Sequence, residues 1–298
     1  MNHKQDIQTA QRFLDIAQQD LKAARCLYDH DYYPQAVFYL EQSVEKGLKS
    51  FAIFAGIITE QEARRPISHQ TIKIYSKTTT GFKDRINTLN LNIHSDPRLE
   101  QMFDGIFDSS RLSTQVDRTL KFIQTVSKEN AVTISKNDKR LRNYLVSLKK
   151  LHREYSEIQD IIQQFTISET EFRAFKKMLL SMMKRYFEEQ PDDFKKVKKE
   201  VDEKLMYDFY VKSMKECLSL LLPPMFIYSS FFYLSRLMTP HALSRYPEGD
   251  FDPLEFYNLQ LPLIQEFPFL SDMTERTNEV VGELFKLYSQ EVKYVASI

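Results

Sequence analysis

Apolar residues recur along this chain at steps of three and four. Leu14, Ala17, Leu21, Ala24 and Tyr28 form one stripe; Val37, Leu40, Val44, Leu48, Phe51 and Ala55 form a second. That spacing puts each set on one face of a helix, and no strand pattern of useful length appears. Glycine usage agrees. The 298 residues include six glycines, where average usage would give roughly twenty. Six are too few for folds that rely on glycine in phosphate loops, hairpins and strand bends. A Rossmann domain, a P-loop NTPase and most all-β architectures are therefore disfavoured, and the fold class is all-α.

The first two stripes flank His30-Asp31-Tyr32-Tyr33-Pro34. Pro34 suits the first turn of the second helix, so an antiparallel helical hairpin is expected. Gly56 can close that second helix as the residue after its cap. Residues 57–67 read as a loop, and Ser68 as the N-cap of a short third helix carrying Ile72 and Tyr75. Thr78–Gly81 and the Asn-rich stretch 87–96 read as loop again.

From about 110 to 216 the pattern is helical but highly charged. Leu141, Leu145, Leu148, Tyr155, Ile162 and Phe165 make a narrow stripe. Ser168 with Glu171 is a capping-box signature, after which Phe172, Phe175, Leu179, Met182 and Tyr186 continue. Pro191 restarts the chain before Phe194, Val197, Val201 and Leu205. Narrow stripes on charged helices predict coiled-coil-like arms. Apolar character returns at 217–238. Tandem Pro223–Pro224 breaks helix hydrogen bonding, which favours a buried core helix beginning there over a membrane span. After a proline-containing loop, a last helix is expected from Asp272, with Glu275 as capping partner.

The 41 basic and 41 acidic residues cancel, which removes the long-range pull expected of a generic nucleic-acid coat. Cys26 and Cys217 are isolated, without metal spacing, and Met1–Asp6 has no apolar signal core. A reducing cytoplasm is the expected compartment, with no membrane partner, metal or cofactor.

The opening hairpin resembles the HEPN family. Asp20-Leu21, Ala24 and Leu27 are followed by Tyr33, Ala36 and Phe38, then Gln42, Glu45-Lys46 and Leu48-Lys49. His69 with Ile72 resembles the family's start of the third helix. Glu41 stands where a first Gln is usual, and Asp31 where Gly is common in the turn. Far downstream, Ser244-Arg245-Tyr246-Pro247 resembles the Arg-Tyr-Pro loop after the family's fourth helix. The resemblance implies a HEPN-like bundle built from 1–80 and 218–298, interrupted at 81–217 by a linker and a charged helical insertion.

It also implies candidate chemistry. Some HEPN proteins are metal-independent ribonucleases with an Arg-x4–6-His motif. Histidine suits general base work near neutral pH, and arginine neutralises phosphate. Arg64 and His69 have that spacing, although His69 equally fits a helix start. His241 and Arg245, beside Tyr246, either hold their loop or contact a nucleotide phosphate. Gln42, Glu45, Lys46 and Lys49 lie where the resemblance puts a nucleotide-binding groove; the alternative is an exposed face with ordinary i, i+4 pairing. The basic runs Lys136–Arg142, Lys149–Arg153 and Lys195–Lys199 are interrupted by acids and read as solvated faces. Three functions follow. The first is a nucleotide- or RNA-associated binding module, implied by the resemblance to be homodimeric and to work beside a minimal nucleotidyltransferase or another protein. The second is a toxin-like ribonuclease using Arg64 and His69 or Arg245 and His241. The third is a helical interaction scaffold.

Overall fold

The computed structural model describes residues 3–65, 67, 70–97, 99–100, 109–127, 138–186, 192, 195–196, 203–238 and 252–295. Among these the secondary structure is helical, with no strand. The helices are α1 (His3–Asp29), α2 (Tyr33–Phe54), α3 (Glu60–Arg64), α4 (Ile72–Ser95), α5 (Ser109–Ser127), α6 (Asp138–Gln163), α7 (Glu169–Tyr186), α8 (Glu203–Met238), α9 (Pro253–Phe256), α10 (Pro262–Gln265) and α11 (Phe267–Val295).

The chain forms two compact units. One comprises Met1–Thr78, Ile123–Ser156 and Leu222–Ile298; the other comprises Thr79–Phe122 and Glu157–Leu221. The first is organised by the expected hairpin. Leu14, Leu21 and Ala24 of α1 share a core with Val37, Leu40, Val44 and Leu48 of α2, each at most 3% exposed. Pro34 lies in the first turn of α2, and Gly56 follows its C-cap with φ 66°. The turn between the helices puts Asp31 at φ 63°, which explains why glycine suits that position. Ser50 Oγ donates to the Ala10 carbonyl at 2.7 Å, tying the far ends of the hairpin together.

α11 and the C-terminal half of α8 complete this core with Phe226, Phe231, Leu234, Leu270, Met273 and Val281. Gly47 makes the approach possible. A Cβ there would sit 2.3 Å from Asn278 Oδ1 and 2.7 Å from Phe231 Cζ, so a larger residue would drive the elements apart. At the surface, Arg25 reaches from α1 to α11, bonding Asp272 at 2.8 Å and Glu275 at 2.9 Å.

Leu141, Leu145, Leu148 and Tyr155 of α6 belong to this same core, with Tyr155 stacked on Phe226 at 4.0 Å between ring centroids. These residues lie inside the stretch read from sequence as an insertion. Their stripe is narrow because one row of α6 side chains meets the bundle.

The second unit buries Ile86, Ile93, Val116, Ile162, Phe172 and Met206. Aromatic pairs join α7 to α8, Phe172 with Tyr207 at 5.2 Å and Phe175 with Tyr210 at 3.9 Å. The capping box at Ser168–Glu171 forms as its sequence predicts, with the Glu171 backbone N–H donating to Ser168 Oγ and Glu171 accepting in return. Ser168's bonds hold the Glu171 carboxyl below its ordinary pKa.

Four local expectations are corrected. Residues 57–67 include the short helix α3. Thr78–Gly81 and 87–95 are helical, because Ile86 and Ile93, seven residues apart, are buried; the Thr78 and Thr88 hydroxyls bond carbonyls four residues back, at 2.8 and 2.9 Å. α8 does not begin at Pro223–Pro224 but runs through them. The carbonyls that the two prolines leave without N–H partners belong to Ser219 and Leu220, exposed residues that water can reach. By length and composition alone, Met206–Met238 would reach across a membrane. Finally, α11 begins at Phe267, with Pro268 in its first turn, so Asp272 and Glu275 are helix-interior partners of Arg25, not caps.

Candidate functional site

Polar residues of the first unit gather in two places, both set by helical spacing. On α2, Glu41, Glu45 and Lys49 recur every four residues and so line one face. That face is internal. The Glu45 and Lys49 side chains are only 6% and 7% exposed and are joined at 2.6 Å. Glu41 is 1% exposed. One of its carboxylate oxygens accepts from the Gln42 amide at 2.8 Å, while Oε1 has no hydrogen-bond partner. Burial, reinforced by the neighbouring Glu45 charge, raises the Glu41 pKa to about 8. Gln42 and Lys46 sit half-buried beside this row, with Lys46 donating to Asp20 of α1 and to Gln42 Oε1.

The second cluster surrounds α3. Thr59-x-x-Glu62 is a capping box: the Glu62 N–H donates to Thr59 Oγ1 at 3.2 Å and the Thr59 N–H donates to Glu62 at 2.8 Å. Lys77 donates to both Glu62 oxygens, at 2.6 and 2.8 Å. Lys77, then the Thr59 backbone, holds the Glu62 carboxyl below its ordinary pKa. With Glu62 so engaged, an open cleft of about 620 Å³ is lined by Asp6 and Thr9 of α1 with Thr59, Glu60, Gln61, Arg64 and Arg65. Glu60 Oε1 accepts from Arg64 Nε at 3.0 Å and Nη2 at 2.6 Å. Glu60 Oε2 accepts from the Thr9 hydroxyl at 3.4 Å. The Arg64 and Glu60 side chains remain 68% and 42% exposed.

The sequence candidates therefore separate. Gln42, Glu45, Lys46 and Lys49 are brought together on α2, with Glu45 and Lys49 internal. Arg64 lines the cleft. His69, His241, Arg245 and Tyr246 lie outside the described residues. Among the basic runs, Lys149 bonds Glu266 at 3.1 Å and lies 5.0 Å from the Phe269 ring centroid, and Lys150 pairs with Glu154. Among the described residues, no group of three or more His, Cys, Asp or Glu is placed to hold a metal. Glu60 and Arg65 were not anticipated from the sequence. The Thr59-x-x-Glu62 signature was the readable clue to them, since it starts the helix that carries Glu60 and is capped at its end by Arg65.

Residues 10–84 match the HEPN domain. The HEPN segment contains most of α1, all of α2 and α3, and all but two of the residues lining the cleft's two walls, Asp6 and Thr9 lying just before it. A protein of Methanocaldococcus jannaschii named "Putative toxin MJ1304" is 38% identical over 90 residues, covering 30% of this chain and 59% of the relative. The chain thus spans 59% of the length of that relative, less than two thirds. No solved structure matches the chain.

Proposed function

We propose that this protein is a HEPN-type module that binds nucleotide or RNA. The observation that carries the reading is the placement of Arg64 and Arg65 on an open polar cleft beside the HEPN hairpin. Guanidinium groups present planar donor forks suited to phosphate, and an exposed one can exchange a surface carboxylate for it at little cost. In this reading the ligand meets the protein at the cleft, and the α2 row supports the bundle from within. Thermal denaturation with increasing adenosine 5′-monophosphate or short single-stranded RNA tests it. Saturable stabilisation is expected; no shift with either would remove the reading and leave a helical scaffold ahead.

A ribonuclease reading is favoured by two specific observations, the toxin name of the Methanocaldococcus relative and the exposure of Arg64 on the cleft. Here Arg64 neutralises phosphate and His69 acts as general base. RNA cleavage lost in His69→Ala with RNA binding retained supports this; unchanged cleavage excludes His69 from catalysis.

The proposal extends to a cytoplasmic homodimer working beside a minimal nucleotidyltransferase, and to a HEPN core drawn from 1–80 and 218–298. Deletion of 81–217 tests the boundary. Because α6 residues share the first unit's core, a deletion that spares 123–156 should fold better than one that removes it.

A further inference from the structure

We infer that Glu60 is a built-in competitor for the phosphate at the α3 cleft, a regulatory role that rests on the phosphate-ligand reading above. Arg64 does not face the cleft with its donors free. Both Nε and Nη2 converge on one oxygen of Glu60, at 3.0 and 2.6 Å. The other oxygen receives the Thr9 hydroxyl at 3.4 Å, which anchors the carboxylate toward α1. Two of the donors that would grip a phosphate oxygen are thus already occupied by a carboxylate of similar geometry.

The remaining lining explains why the arrangement is a clasp and not a closed structural pair. Arg65 follows Arg64 on the same rim and has no ion pair among the described residues. Glu62, the other acid of α3, is committed to Lys77 and to the Thr59 backbone and does not line the cleft. Asp6 also lines it, but of the two lining acids it is Glu60 that holds a guanidinium among the described residues. The Glu60–Arg64 pair is solvent-exposed, so exchanging its carboxylate for a phosphate costs little. An incoming phosphate would first meet Arg65, then replace Glu60 on Arg64, with the Thr9 hydroxyl and Gln61 amide as further donors. The ligand class is a phosphate oxyanion on a nucleotide or an RNA strand. Affinity is held down by the clasp, and the ligand must bring enough charge to open it.

The test compares wild type, Glu60→Gln, Asp6→Asn and Arg65→Ala by titration with adenosine 5′-monophosphate and, separately, short single-stranded RNA. Circular dichroism verifies folding, and Glu60→Ala serves if Glu60→Gln does not fold. Glu60→Gln should tighten binding by about two- to five-fold, the range an exposed pair can supply. Asp6→Asn, which removes an equal charge without touching Arg64, should change it less. Arg65→Ala should weaken binding. The monophosphate and RNA arms distinguish a terminal phosphate from a phosphodiester as the group recognised. Wild-type binding that Glu60→Gln leaves unchanged or weakens would overturn the clasp while the binding-module reading stands. Equal gains in Glu60→Gln and Asp6→Asn would reduce it to a general field effect and overturn it as well. No binding of either probe by wild type or Glu60→Gln would remove both the clasp and the reading beneath it.

Discussion

Glu45–Lys49 and Glu60–Arg64 share one sequence motif, a carboxylate followed four residues later by a cation on a helix. The first pair is 6% and 7% exposed, the second 42% and 68%. The difference comes from the helix that carries each. α2 is surrounded, with Leu40, Val44 and Leu48 in the core and α11 close enough to require Gly47. α3 is five residues at the surface, with Ala63 its buried residue. A buried pair is costly to break because the surviving charge stays desolvated; an exposed pair is cheap to exchange. The same motif therefore serves as an internal brace in α2 and as an adjustable contact in α3.

The sharpest way to break this comparison is to remove one member of each pair. Lys49→Ala would leave Glu45 beside Glu41 in the interior and should destabilise the fold by about 3–5 kcal/mol, read by chemical denaturation. A loss below 1 kcal/mol would mean that α2's pair behaves like a surface one.

Glu41 tests the interior by pH. Its folded pKa of about 8 lies above the ordinary 4.5. Between those values the folded protein holds a proton that the unfolded chain has released. Stability therefore falls as pH rises from about 4.5 to about 8 and levels off above that. Glu41→Gln keeps an acceptor for the Gln42 amide but cannot ionise. It should be more stable than wild type near pH 8, on the order of a few kcal/mol at about 1.4 kcal/mol per pKa unit, with the gap closing toward pH 4.5. Parallel denaturation curves across this range would contradict the buried environment.

Backbone substitutions sharpen the contrast further. Gly47→Ala should cost about 1–3 kcal/mol, since its Cβ would meet Asn278 Oδ1 and Phe231. Gly282→Ala, whose Cβ would lie 3.6 Å from Leu14 Cδ2, should be neutral or stabilise by about 0.5–1 kcal/mol. Thermal midpoints of the two variants should move in opposite directions or differ clearly in size. Smallest of all, Arg64→Ala should change stability by under about 1 kcal/mol, while weakening nucleotide binding.

Much of the first unit was legible in the sequence. The stripes of α1 and α2, Pro34 at a helix start and Gly56 after a helix end all act locally, within a turn or two of chain. The HEPN match, residues 10–84, covers this same opening region. What escaped depends on distant partners. Thr78–Gly81 and 87–95 carry weak helix formers, and the burial of Ile86 and Ile93 overrides that weakness. Asp272 and Glu275 imitate a helix start because their partner, Arg25, stands on α1. The site shows the same limit. Spacing put Glu45 and Lys49 on one helix face but not on its inner side, and it singled out Arg64 without revealing Glu60 as its partner.

In the proposed function, ligand meets the α3 cleft while the α2 row braces the bundle. Backbone amide NMR of isotope-labelled protein titrated with adenosine 5′-monophosphate tests it most directly. The account predicts saturable shift changes centred on Thr59–Arg65 and on Asp6 and Thr9. Changes centred on Gln42–Lys49, with the cleft unmoved, would contradict it.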